Sequence, residues 1–186
     1  MIRAGDSIEN PVTGERLVFR QTSKETDGEA VVIETYVQPG GFVAAAHVHP
    51  LQEERFQVLR GTVGFKVGGE KLVAGAGTRL TVPPKTPHRF WNAGDETAHF
   101  VCEIRPALQF ESLIETMFGL AAAGKTNRKG MPNPVRMASI ARAHRDVIRL
   151  AGVPAWLQDL ATLSAMPLAR VAGYGASYQP VKPVLA

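Results

Sequence analysis

The amino-acid sequence predicts a mostly-β fold, an antiparallel sandwich or barrel, with α-helices added at its C-terminal end. Two features predict it. From residue 6 to about residue 104, short apolar stretches rich in β-branched residues alternate with turn signals. After Pro106 the apolar residues change to helical spacing. A chain of 186 residues suits one domain with an extension, and its 45% hydrophobic and 20% charged residues argue against wholesale disorder.

The strands follow from their boundaries. Asn10-Pro11 and Thr13-Gly14 mark a turn before the alternating stretch 16–20. Asp27-Gly28 precedes residues 30–37, which Pro39-Gly40-Gly41 ends. Gly61, Gly68-Gly69, Gly75, Gly77 and residues 92–95 then punctuate four more apolar segments. No long helical pattern precedes residue 107 to supply the crossovers of a parallel sheet.

In the C-terminal part, Phe110, Leu113, Ile114, Met117, Phe118 and Ala121 share one helical face, with Gly124 as its stop. Residues 125–134 read as a loop. A second helix is expected over 135–151, with Met137, Ile140, Ala141, His144, Val147 and Ile148 on one side and Arg136, Arg142, Arg145 and Arg149 on the other. Pro154 is placed as the first residue of a third helix whose apolar face is Trp156, Leu157 and Leu160. From Tyr174 onward the chain reads as irregular. The resulting division is residues 1–106 and residues 107–186.

Charge is unevenly placed. Residues 1–107 hold 12 basic and 13 acidic side chains, and residues 108–186 hold 9 and 4. The basic pI of about 9.5 therefore belongs to the helices. Their arginines read as a solvated or ion-paired face, with contact to an anionic membrane surface as the alternative. No nucleic-acid-binding motif accompanies them, so no nucleic-acid partner is expected. No apolar run reaches the roughly 20 residues of a membrane-spanning helix, and the N-terminal stretch lacks the apolar core of a secretory signal. A single cysteine, Cys102, excludes an internal disulfide and a thiolate zinc cluster. A cytoplasmic location is expected.

The chemistry concentrates in two segments. In residues 41–61, His47 and His49 are two apart, so on a strand both imidazoles face the same way. On the next strand Glu54 shares a row with Phe56 and Val58, which places a carboxylate toward the core, while Glu53 falls on the other row. A core-facing carboxylate needs hydrogen bonds, an ion pair or a cation. The second segment, residues 77–92, brings His88 to the start of a further strand after a proline-rich turn. Three imidazoles and a carboxylate suit a divalent transition metal (Mn, Fe, Ni, Cu, Co or Zn) better than Ca or Mg. Such a set leaves one or two positions for water, substrate or dioxygen.

The spacing resembles the two motifs of the cupin family. Gly41, His47, His49, Glu54 and Gly61 fit the first, and Gly77, Pro83, His88 and Asn92 fit the second, with Lys85 where the family usually carries glycine. The resemblance implies a cupin jelly-roll β-barrel over roughly residues 30–105, with His47, His49, Glu54 and His88 as metal ligands. It also implies a dioxygenase-like oxidoreductase acting on a small organic molecule, with isomerisation or decarboxylation as variants in which Glu54 is the catalytic proton carrier. The alternative is a non-catalytic module that binds or senses a small molecule. A homodimer is a further implication, with the strands before Val31 as its contact.

Other residues have plainer readings. Asn92 is expected to tie its turn. His99 lies on the outward row of the last strand. Cys102 reads as a small buried hydrophobe and His144 as a packing residue. Phe56, Phe65, Phe90 and Trp91 are assigned to core packing, with a pocket wall as the alternative.

Overall fold

The alternation in residues 31–37, VVIETYV, is what a half-buried strand requires, and β3 (Val31–Val37) buries every second residue from Val31 to Val37. The same rule forms β10 (Ala98–Arg105), whose Ala98, Phe100, Cys102 and Ile104 face inward. The computed structural model describes residues 2–178 and the backbone of Val184 and Leu185. The other strands are β1 (Asp6–Asn10), β2 (Glu15–Gln21), β4 (His47–Val48), β5 (Glu53–Arg60), β6 (Val63–Val67), β7 (Glu70–Ala74), β8 (Arg79–Val82), β9 (His88–Asn92), β11 (Arg149–Leu150) and β12 (Val184–Leu185). The helices are α1 (Phe110–Ala122), α2 (Pro134–Ala143) and α3 (Ala155–Val171).

These strands make two antiparallel sheets, ordered β12-β1-β2-β3-β10-β5-β8 and β11-β4-β9-β6-β7. This corrects the expectation of a closed barrel: among the described residues the sheets have separate edges, and the jelly roll is a sandwich of two layers. Its core runs through Phe19, Val31, Ile33, Phe56, Val58, Phe65, Phe100 and Ile104. Phe56 stacks edge-on against Phe65, and Phe90 against Phe100, which ties the two sheets together.

α1 continues that core. Its Phe110, Leu113, Phe118 and Leu120 are buried with the sheet residues, and the Glu111 carboxylate near its start accepts hydrogen bonds from the Ser23 backbone N–H and hydroxyl. Gly124, at φ 67°, follows the helix where the sequence expects its end.

The second helix is shorter than its periodicity predicts. The Asn133 side chain caps it by accepting the Arg136 N–H at 2.9 Å, and it ends at Ala143. Beyond that point His144 folds back on the Ile140 carbonyl, and residues 149–150 become β11 on the free edge of β4. The expected four-arginine face is therefore broken up. Arg136 lies over the Tyr174 ring, and Arg149 pairs with Asp159 at 3.2 Å.

Pro154 caps the third helix from outside, and Ala155 is its first residue. Residues 174–178 hold no helix or strand. The irregular tail expected beyond them lies outside the described residues, except for β12, which pairs with β1. Among the described residues no helix is long and apolar enough to cross a membrane.

Candidate metal centre

Four sequence-selected side chains come together between the sheets. β4 and β9 pair through His47 and His88, so two imidazoles stand side by side on neighbouring strands. His49 directly follows β4, and Glu54 reaches in from β5 of the facing sheet. One potential ligand atom from each of the four lies within 4.8 Å of all the others, and all four residues are buried. Glu53 points the other way and pairs with Arg55 at 2.6 Å, so strand alternation selects Glu54.

Each imidazole is held by the nitrogen that faces away from the cluster. His47 Nδ1 meets the Ala45 carbonyl at 2.9 Å, and His88 Nδ1 meets the Thr86 carbonyl at 2.9 Å. His49 Nδ1 lies 2.6 Å from the Val147 carbonyl and 3.1 Å from Gln52 Oε1. Carbonyl oxygens only accept, so these contacts place the proton on Nδ1 and leave the Nε2 lone pair for the cluster. Gln52, itself buried, is fixed because its Nε2 donates to the Pro106 and Ala107 carbonyls.

His49 Nε2, His88 Nε2 and Glu54 Oε2 are buried without a hydrogen-bond partner among the described residues. His88 Nε2 and Glu54 Oε2 approach to 2.6 Å, but without the alignment of a hydrogen bond. Unsatisfied buried polar atoms are costly, and a divalent cation would satisfy these together. The donor set therefore fits a transition metal, and the four residues can hold one.

The electrostatics of His47 and Glu54 suit a metal ion. Burial holds His47 down to about 3, reinforced by the neighbouring His88 and His49. Burial alone would raise Glu54, but the facing His49 and His88 outweigh it and keep the carboxyl at about 2. Burial pulls His88 down, but the Glu54 carboxylate outweighs it and raises it, so a metal ion would displace a proton there. Neutral imidazole and ionised carboxylate are the forms that bind metal.

The cluster opens into a cavity of about 130 Å³. Its walls are mostly apolar: Leu17 and Ile33 from one sheet, Phe90 from the other, and Leu113 and Phe118 from α1. Cys102 lies beside Glu54, its thiol 3.8 Å from Oε1, and burial pushes that thiol well up. Phe56 and Phe90 line the cavity, Phe65 packs behind Phe56, and Trp91 covers Gly64 on the outer face, where an added Cβ would meet the indole at 2.2 Å.

The remaining readings find their places. Asn92 ties its turn by accepting the Gly94 N–H and donating to the Val37 and Glu96 carbonyls. His99 stacks outside on Tyr36, and His144 is buried against α1, its Nε2 3.4 Å from the Ser112 hydroxyl. Lys85 adopts φ 66°, the conformation that glycine takes without strain, and its N–H donates to the His49 carbonyl at 2.8 Å. Sequence reasoning missed Gln52, the Val147 carbonyl and a second carboxylate on the cavity wall, Glu15.

The cupin-domain family model matches residues 33–103. The chain belongs to the cupin superfamily. This cupin is 30% identical over 88 residues to an uncharacterised protein of Methanocaldococcus jannaschii, covering 47% of the chain and 66% of that protein. It is 34% identical over 77 residues to polyketide synthase CurC of Streptomyces cyaneus, covering 41% of the chain and 49% of that protein. The matches thus span about half of one of these curated relatives and just under two thirds of the other. A crystal structure of a predicted oxalate decarboxylase from Thermotoga maritima shares the cupin fold at a TM-score of 0.50 and 19% identity, over 57% of this chain and 98% of that one.

Proposed function

We propose that this cupin is a metal-dependent enzyme, a dioxygenase-like oxidoreductase acting on a small, largely apolar molecule that carries oxygen at one end. One observation carries the reading: imidazole lone pairs, fixed from behind by protein hydrogen bonds, converge with a carboxylate at the end of an apolar cavity. A bound Mn, Fe, Ni, Cu, Co or Zn ion would supply Lewis acidity and open positions for a substrate oxygen and, with a redox-active ion, dioxygen. His47, His49, Glu54 and His88 are its ligands. The apolar walls exclude water and orient the substrate's carbon skeleton. In an isomerising or decarboxylating variant, Glu54 carries the proton. The name of the polyketide synthase relative is in keeping with a carbon-rich, oxygen-bearing substrate.

The second reading is a binding or sensor module without turnover. It is favoured by the lining itself, which offers few ionisable groups besides His47, His49 and Glu54. Elemental analysis of the untagged protein, beside a His47→Ala/His49→Ala variant, tests the site. Near-stoichiometric metal that disappears in the variant is expected. No metal, even after reconstitution, overturns the reading. With metal in place, substrate-dependent O₂ uptake or product formation supports the enzyme, and saturable binding without either supports the sensor.

A cytoplasmic location and a homodimer belong to the same proposal. The outer edge of β1, first assigned to the dimer contact, is paired with β12 of the same chain. The exposed apolar side chains of α3 are the better contact.

A further inference from the structure

Glu15 is a second buried carboxylate on the wall of the metal cavity. It opens β2 and faces inward on the row of Leu17 and Phe19. From Glu54 it is three strands away, along β5, β10, β3 and β2, and the pairings Glu15–Val37, Val37–Ala98 and Ile104–Glu54 also set the two apart along the strand direction. The two carboxylates therefore stand toward opposite ends of one cavity.

The Glu15 end is built. Oε2 accepts a 2.6 Å hydrogen bond from the Thr13 hydroxyl. Asn10 faces Glu15 across the β1–β2 pair and also lines the cavity. Its Oδ1 accepts the Val12 and Thr13 N–H groups, which fixes the amide and leaves Nδ2 as a donor. Gly130 closes this end from the C-terminal part: a Cβ there would lie 2.9 Å from Thr13 Cγ2 and 3.4 Å from Ala44 Cβ.

Resting on the metal-site reading above, we propose that Glu15, with Asn10 beside it, binds a hydroxyl at the far end of the substrate and so sets its orientation. The substrate class becomes an elongated molecule with the bulk of about one ring. It carries metal-binding oxygen at one end, an apolar middle and a hydroxyl at the other end. The size follows from the cavity: 130 Å³ is close to the roughly 150 Å³ of an engineered apolar cavity that admits benzene. Burial pushes the Glu15 carboxyl up to about 7, with the Thr13 hydroxyl pulling the other way. Near neutral pH it is present both protonated and ionised, and either form takes a hydroxyl partner.

A tie within the β1–β2 turn is the plainer role for Glu15, and the test separates the two. The zinc-loaded protein is titrated calorimetrically with 4-ethylcatechol and with 4-(2-hydroxyethyl)catechol, which differ by one hydroxyl. The wild type is expected to bind the hydroxyethyl compound about fivefold more tightly, the worth of one hydrogen bond. Glu15→Leu should reverse that preference while keeping its zinc, and Glu15→Gln should retain it. A wild type that prefers the ethyl compound or binds neither, or a Glu15→Leu variant that keeps the wild-type preference, overturns the proposal and leaves the metal site standing. A wild type that takes up no zinc overturns the metal reading, and the proposal with it.

Discussion

α1 and α3 carry comparable apolar patterns and end in opposite situations. α1 lays Phe110, Leu113, Phe118 and Leu120 into the jelly-roll core and lends several of them to the cavity wall. α3 buries Ala169 alone and leaves Trp156, Leu160, Leu163, Leu168 and Val171 exposed. An apolar helical face states a need for a partner surface without naming it. α1 finds that surface on the sheets, and in doing so forms part of the chamber. α3 packs against α2 and shows the rest of its apolar side to water.

The sharpest way to break this contrast is one substitution made twice. Leu120 is fully buried and Leu163 is 56% exposed. Leu120→Ala should destabilise the fold by about 2–5 kcal/mol, because it removes packed methyl groups and leaves a cavity. Urea denaturation at fixed low protein concentration measures it. A loss below about 1 kcal/mol would mean that α1 is not part of the cooperative core.

The next effect asks how well the chamber that α1 helps to wall keeps water out. Glu15 takes up its proton at about 7 in the folded chain against an ordinary 4.5, because it is buried. Below about 4.5 both folded and unfolded chains are protonated there, and the group adds no penalty. As pH rises from 4.5 to 7 the unfolded chain releases its proton first, so stability falls; above 7 the full penalty stands, up to about 3 kcal/mol. Glu15→Gln should remove that fall and be the more stable protein at pH 8, with little difference at pH 4. Parallel stability curves for the two proteins across this range would show that water reaches the carboxyl.

Much of this was legible in the sequence because strand alternation is a strict rule. It selected Glu54 over Glu53, paired His47 with His49 and placed Cys102 inward. The same rule was available for Glu15, which shares a row with Leu17 and Phe19, and for Gln52, two residues before Glu54. Neither belongs to a recognisable motif, so neither drew attention. Other features had no local signal. The Val147 carbonyl holds His49 from 98 positions away, a meeting that only the tertiary fold creates. The second helix was read too long because Val147 and Ile148 keep its period. The edge of β4, which recruits residues 149–150 as a strand, decides otherwise. Closure of the sheets into a barrel was equally out of reach, since alternation says which face a residue takes and not how the edges meet.

The smallest expected effect completes the comparison. Leu163→Ala should change stability by no more than about 0.5 kcal/mol in dilute solution, where α3 faces water in the single chain. If α3 is the contact of the proposed homodimer, the same substitution should weaken self-association, and light scattering across a concentration series will register it. A second copy covering Trp156, Leu160 and Leu163 would give α3 what the sheets give α1, and the wild-type mass would approach twice 20.1 kDa as concentration rises. A wild-type mass fixed at the monomer throughout would reject the dimer. The contrast between the helices would then be permanent: one apolar face spent on the chamber, the other left to solvent.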